Sequence, residues 1–401
     1  MSQERTLFYK LFTGELKKWG FKPNAYDACT MNKMVNNKQM TIVWHVDDCK
    51  ISHKSEAVVR NMLAKIEARF GQESPVSVTT GTVHDYLGMT IDYSIKNKVK
   101  FYMFDYIEQI LSEVDPTLMT GSCRTPATAN LFKINENGTK LSTKDADAFH
   151  RNVARLLFLS KRARPDIQTA VAFLCTRVQS PDVDDNNKLG RVMRYLRETI
   201  FLPLVIGWDG TGNFYWSVDA SFAVHNDMKS HTGGVLTLGL GSGALIAMST
   251  KQKLNTTSST EAELVAVSDS MPFNLWIKYF FAEQGVGVDG YIMGKRNILY
   301  QDNESCIKLA NNGKASSSKR TRHIHIRYFF VTDRVKGNEL EIEYCPTEEM
   351  LGDFFTKPLT GPLFAKFRNN ILGITEEDYR SYKEEYYKAK ANNVTTKTNS
   401  G

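Results

Sequence analysis

The chain has 401 residues, 42% hydrophobic and 24% charged, with a net charge of +7. This is a globular composition with room for a large core in two or three domains. The basic excess suits a phosphate-bearing partner as well as it suits a solvated surface. Cys29, Cys49, Cys123, Cys175, Cys306 and Cys345 stand singly, with no Cys-x-x-Cys, which excludes a disulfide framework or zinc knuckle and fits a reducing compartment. No apolar run approaches the roughly 18 residues of a membrane helix, and the first residues lack the apolar core of a signal peptide.

In chain order, Leu7, Phe8, Leu11, Phe12, Leu16 and Trp19 fall at helical spacing and stop at Gly20 and Pro23. Residues 40–48 and 49–52 read as two strands meeting at Asp47-Asp48, which is either a functional acidic pair or a plain hairpin turn. A helix is expected from Ser55 to Phe70, closed by Gly71. Residues 86–91 and 98–104 form a hairpin pattern, and 105–114 a short amphipathic helix. The polar stretch 117–145 reads as a loop or linker. Three helices follow between 148 and 199, where Arg191, Arg194 and Arg197 recur every three residues on one face. Such a row suits a phosphate backbone or a solvated helix surface.

The remainder reads as three strands separated by Gly-rich turns, at 214–223, 231–240 and 244–251, which implies an antiparallel meander. A helix after Thr260 follows, which Pro272 should kink or shorten. Further strands at 298–302 and 340–345 alternate with helices, and 376–401 is a polar tail expected to fray. Tyr215 to Ser221 alternates like a strand with one apolar face, which puts Asp219 on a rigid element, pointing away from the more apolar side. Glu261, Glu263, Asp302 and Asp353 follow. Acidic groups at strand ends and helix starts suit divalent cations held against phosphate. Two such ions about 4 Å apart can activate water and steady the leaving oxygen of a phosphodiester.

Specific motifs then accumulate. They are Ser217-Val218-Asp219-Ala220-Ser221, Thr232-Gly233-Gly234, Ser258-Ser259-Thr260-Glu261-Ala262-Glu263, Gln301-Asp302-Asn303, Arg322-His323-Ile324, and Asp353 followed by Thr356-Lys357-Pro358-Leu359. Together and in this order they make residues 204 to about 372 resemble the ribonuclease H domain of copia-type LTR retrotransposon polyproteins. Upstream, Trp44 to Asp48 resembles that family's reverse transcriptase acidic-pair hairpin. Tyr86-Leu87-Gly88 resembles its primer-gripping strand, and Arg164-Pro165-Asp166-Ile167 its thumb and connection.

The resemblance implies an α/β fold, α+β upstream: a ribonuclease H-like mixed five-stranded sheet with flanking helices, preceded by an incomplete reverse transcriptase palm and a helical connection. Its implied divisions are 1–116, 117–203, 204–375 and the tail 376–401. It assigns catalysis and metal ligation to Asp219, Glu263, Asp302 and Asp353, with two Mg²⁺ ions (Mn²⁺ as a substitute). Capping boxes fit both Thr260-x-x-Glu263 and Ser258-x-x-Glu261; the pattern Glu263-Leu264-Val265-Ala266 favours Glu263 as ligand and leaves capping to Glu261. His323 is an auxiliary candidate for orienting water or releasing product, or a structural histidine; His325 stands where the family often has an acidic residue.

About forty residues precede Asp47, and Asp27 there does not resemble the third palm aspartate, so the resemblance implies a chain beginning inside the palm. Asp47 and Asp48 are then a polymerase remnant. The implied function is Mg²⁺-dependent cleavage of the RNA strand of RNA–DNA hybrids. Basic residues such as Arg191, Arg194 and Arg197 would hold phosphates, and the implied setting is cytoplasmic particles or the nucleus, without a membrane. The alternatives are a non-catalytic nucleic-acid-binding remnant, or a polymerase completed by the rest of the polyprotein or another reverse transcriptase chain.

Overall fold

A computed structural model describes residues 3–72, 75–239, 241–284, 295–313 and 325–398. The protein is mixed α/β, with several sheets and many helices, and divides into two compact units. The first comprises residues 1–87 and 273–295; the second comprises 88–272 and 296–401.

In the first unit, helix α1 (Gln3–Lys18) covers an antiparallel sheet of β1 (Lys22–Asn24), β2 (Asp27–Val35), β3 (Lys38–His45) and β4 (Asp48–Ser52) in sequential order. Helix α2 (Glu56–Phe70) and strand β5 (Val83–Tyr86) follow. The period-3.6 apolar residues Phe12 and Leu16 meet the period-2 residues Met40, Ile42 and Trp44, together with Met62 and Ile66 of α2, in one core. Residues 273–283 also belong to this unit: Trp276 Nε1 donates to the Tyr26 carbonyl at 2.9 Å.

The second unit opens with β6 (Met89–Asp92) and β7 (Lys98–Tyr102), an antiparallel pair as the sequence predicts. Helix α3 (Phe104–Ser112) leads to α4 (Thr143–Ser160), α5 (Gln168–Cys175) and α6 (Val183–Glu198). A strand absent from the sequence reading, β8 (Leu204–Gly207), pairs antiparallel with β7. Of the stretch 117–145 expected as a loop, 120–142 is irregular and α4 already begins at Thr143; the loop is packed, with Cys123, Thr125, Ala127 and Leu131 buried. The Arg164-Pro165-Asp166 motif is a buried clasp. Arg164 gives two hydrogen bonds to the Asp166 carboxylate at 2.8 and 2.7 Å and one to the Thr199 carbonyl at 2.9 Å. Tyr195 donates to the same carboxylate at 2.6 Å, so the start of α5 is tied to the end of α6.

The main sheet has five strands in the order β11-β10-β9-β12-β13. Strands β9 (Phe214–Ser221), β10 (His231–Thr237) and β11 (Ile246–Lys251) form the antiparallel meander predicted from their turns. Strands β12 (Asn297–Gln301) and β13 (Glu341–Tyr344) add to the other side in parallel. Helix α7 (Ser259–Glu283) runs through Pro272 and is not shortened by it; the division between units falls at that proline. Helices α8 (Glu304–Asn312), α9 (His325–Lys336), α10 (Asp353–Thr356) and α11 (Gly361–Leu372) complete the unit with α12 (Glu376–Thr398).

Helix α12 replaces the fraying tail expected from composition. A Thr375–Asp378 box caps its start. Its tyrosines then pack inward: Tyr379 lies 5.3 Å from the Phe201 ring and 4.4 Å from the Arg368 guanidinium, and Tyr386 donates to Glu108 at 2.6 Å. Polar content hid the aromatic stripe.

Candidate metal centre

The site grows from a close approach of backbone to backbone. Gly233 of β10 is the register partner of Asp219 on β9. Across from both lies α10, a single turn beginning at Asp353. A Cβ at Gly233 would stand 2.6 Å from Thr356 Cγ2 and 2.8 Å from the Gly352 carbonyl. A Cβ at Gly352 would stand 2.9 Å from Asp219 Cβ and N. Two glycines therefore let this turn lie on the sheet with no side chain between them. The carboxylate face of β9 is covered as a result, and Asp219 is only 2% exposed.

Carboxylate oxygens of Asp219, Asp302 and Asp353 lie within 4.8 Å of one another. They come from the end of β9, the residue after β12 and the first residue of α10. Asp302 is half-buried and accepts a hydrogen bond from Thr347 Oγ1 at 2.9 Å. Glu263, on α7, flanks this group. Gln301 Nε2 donates to its Oε2 and to the Val218 carbonyl, each at 3.2 Å, which ties it to the same edge of the sheet. Burial, and then the charges of Asp219 and Asp302, raise its carboxyl well above the usual range. Burial and the Asp219 charge likewise raise Asp353 to about 7. In both, burial and a neighbouring carboxylate outweigh the partners that favour the charged form, a balance that a bound cation would reverse. Three oxygen donors from separate rigid elements fit a hard divalent ion with water to spare.

Glu261 is engaged differently. Its Oε2 accepts from Thr257 N and Oγ1 at 2.7 and 2.8 Å, and its own N–H donates to Ser258 Oγ at 3.2 Å. Glu261 thus fastens the start of α7, while Glu263, half a turn on, feels the charges of Asp219 and Asp302 without joining the three carboxylates that meet within 4.8 Å.

Two residues of the site escaped the sequence reading although they stood in a motif. Thr356 donates its hydroxyl to Asp219 Oδ2. Lys357 Nζ is 2.6 Å from Asp353 Oδ1 and 3.7 Å from Asp219 Oδ2. Burial works against the Lys357 charge, but the pull of Asp219, Asp353 and Asp302 outweighs it and the ammonium is held above the ordinary lysine range. The spacing of four between Asp353 and Lys357 was the available signal, since i and i+4 meet on a helical turn.

Behind α10 runs a buried polar chain. Ser249 donates to the Phe355 carbonyl at 2.7 Å and sits 2.8 Å from His231 Nε2; His231 Nδ1 sits 3.0 Å from His225 Nε2. Because the serine proton is given to the carbonyl, His231 carries its proton on Nε2 and accepts on Nδ1 from His225. Both rings are neutral. Burial, then the neighbouring His225, lowers His231 to about 3; burial and Lys251 lower His225 to about 4.

The other candidates lie elsewhere. Asp47 and Asp48 sit exposed at the tip of the β3–β4 hairpin, and among the described residues no third metal-ligating side chain joins them. Arg191, Arg194 and Arg197 do share a face of α6, but they grip the irregular segment. Arg191 donates to the Thr125 carbonyl, Arg194 to that of Leu118, and Arg197 to those of Met119 and Gly121. Free backbone carbonyls, invisible in a helical pattern, claimed these cations. His323 lies outside the described residues. No helix among the described residues is long and apolar enough to cross a membrane.

No family model matches the chain. Among curated proteins, it is 24% identical over 367 residues to the retrovirus-related Pol polyprotein from transposon TNT 1-94 of Nicotiana tabacum, covering 89% of this chain and 26% of that protein. It is 27% identical over 332 residues to the corresponding polyprotein from transposon RE1 of Arabidopsis thaliana, covering 82% and 21%. An uncharacterized mitochondrial protein of Arabidopsis thaliana is 27% identical over 229 residues, covering 57% of this chain and 90% of its own length. The chain spans about a fifth to a quarter of the length of the polyproteins it matches.

Proposed function

Because this chain is a relative of the Pol polyproteins of copia-type transposons, we propose that it is a Mg²⁺-dependent endonuclease that cuts the RNA strand of RNA–DNA hybrids, as the C-terminal part of a reverse transcriptase/ribonuclease H polyprotein. The observation that carries the reading is the meeting of Asp219, Asp302 and Asp353, 134 residues apart from first to last, within 4.8 Å. The mixed order of the five-stranded sheet, three strands antiparallel and two parallel, supports a ribonuclease H-like fold for this part.

In this reading Asp219, Asp302 and Asp353 hold magnesium, with Glu263 completing the set from α7. Magnesium bound there supplies Lewis acidity that makes water a better nucleophile and steadies a departing oxygen. The chain's own part is geometric. The turn of α10, seated on Gly233, fixes Asp353 against Asp219, and Gln301 fixes Glu263. The RNA strand is distinguished from DNA through its 2′-hydroxyls, and phosphate contacts make binding fall with salt.

The test is cleavage of a labelled RNA–DNA hybrid with and without Mg²⁺, by wild type and Asp219→Asn. Wild type should cut only with the metal, and the variant should lose at least about a hundredfold in rate, in keeping with the loss of metal-ion catalysis. Equal cutting by the two proteins would overturn the assignment.

A further inference from the structure

The site already contains a cation of its own. Lys357 Nζ sits 2.6 Å from Asp353 Oδ1 and 3.7 Å from Asp219 Oδ2, so it spans two of the three aspartates that converge. It follows directly on α10: its N–H bonds to the Asp353 carbonyl at 2.9 Å, and its side chain returns to the carboxylate of the same residue. The ligand and the ammonium that neutralises it are thus delivered by one helical turn. That turn cannot slide, because Gly233 and Gly352 leave no free space between it and the sheet. Asp219 Oδ2 is engaged twice, by the Thr356 hydroxyl and by this ammonium.

A magnesium ion bonds carboxylate oxygens at about 2.0–2.1 Å. Placed on Asp353 Oδ1, it would come within about 4.7 Å of Nζ where that atom now lies, a separation at which like charges repel strongly even under protein screening. The two cations therefore compete for these oxygens. The Lys357 side chain is 39% exposed, so it has solvent to move into.

We propose that Lys357 is a built-in counter-ion that occupies the carboxylate centre and must be exchanged for a divalent ion, so that it sets the metal affinity of the site. This rests on the metal-centre reading above and adds a positioning residue to it. In the unloaded protein the ammonium keeps Asp219 and Asp353 together despite their mutual repulsion. With a divalent ion bound, Asp219 and Asp353 would hold the ion and the Lys357 ammonium would turn outward. The exchange weakens metal binding by design: part of the ion's attraction is spent on displacing a charge already in place.

The sign of the effect separates this role from a merely structural one. Damage to the fold weakens metal binding, whereas removal of a competitor strengthens it. The experiment measures Mn²⁺ binding to the full chain at fixed pH, from the loss of the free-ion EPR signal, in wild type, Lys357→Met, Lys357→Gln, Lys357→Arg and Asp219→Asn. Lys357→Met and Lys357→Gln should bind Mn²⁺ about tenfold or more tighter than wild type, from the charge repulsion removed. Lys357→Arg, which keeps the charge, should stay within about threefold of wild type. The glutamine variant decides the matter if the methionine variant does not fold. Equal or weaker binding by the neutral variants, with Asp219→Asn still abolishing the site, would overturn the exchange alone. Identical isotherms for wild type and Asp219→Asn would overturn the metal centre and the exchange with it.

Discussion

Replacing Gly233 by alanine adds one methyl group at the seam between β10 and α10. That Cβ would meet Thr356 Cγ2 at 2.6 Å, the Gly352 carbonyl at 2.8 Å and the Phe355 carbonyl carbon at 2.9 Å. The threonine methyl could rotate away, but the other two atoms are backbone and can only be relieved by lifting the turn off the sheet. Gly234, its neighbour on the strand, points to the opposite face, where the nearest atom to an added Cβ is Val218 Cγ2 at 3.6 Å. Gly234→Ala is therefore the control, with the same propensity change and ordinary contact. Overpacking of this kind costs about 1–3 kcal/mol or more, and urea unfolding should show that loss for Gly233→Ala against less than about 0.5 kcal/mol for Gly234→Ala. A lift of about 0.5 Å is also enough to spoil a ligand constellation, so Mn²⁺ affinity should fall in Gly233→Ala and not in Gly234→Ala. The reasoning fails if the two variants unfold alike, or if Gly233→Ala is destabilised while its metal affinity is untouched.

The buried histidines predict a pH signature. His231 and His225 are lowered from 6.5 to about 3 and about 4, so below pH 6.5 the unfolded chain binds protons that the folded chain refuses, and stability drains as pH falls toward those values. Each histidine should cost about 2 kcal/mol between pH 8 and pH 5. His231→Asn should remove roughly half of that slope in paired urea titrations, and an unchanged slope would contradict the neutral chain through Ser249. The Arg164 clasp makes a second contrast. Asp166→Asn leaves a buried guanidinium without its charge partner and should cost about 3–5 kcal/mol. Glu56→Gln, which breaks the exposed Arg60 pair, should cost less than about 1 kcal/mol in the same unfolding assay.

What the sequence made legible, and what it hid, divides along a physical line. Alternation exposed β9, and small-residue turns exposed the meander, because both are local signals that survive in any context. The capping by Glu261 was also legible, since a capping glutamate needs only its own first turn, where Thr257 and Ser258 stand. The arginine row of α6 misled for the complementary reason. A helical pattern shows which residues share a face but not what lies opposite, and what lay opposite was a run of carbonyls from Leu118 to Thr125. The same limit hid α12, whose tyrosines find partners in Phe201 and Glu108, far away along the chain.

The centre itself shows why motif order carried more than any single carboxylate. Asp353 reaches Asp219 only because Gly233 and Gly352 are bare, because Thr356 ends a one-turn helix with its hydroxyl on Asp219, and because Ser249 holds the Phe355 carbonyl from behind. Those conditions are spread over β10, β11 and the turn itself, and none announces metal binding alone. A lone aspartate at the start of a short helix would be read as a cap. Three strands that meet on one turn leave that aspartate buried, its charge opposed by Asp219 and answered by Lys357. Such an arrangement costs stability in the unloaded chain, since Asp353 and Glu263 would both be easier to ionise in water. A cluster of that kind is sensibly kept where the cost is returned on binding a cation, which is the thermodynamic ground for reading it as a site and not as an accident of packing.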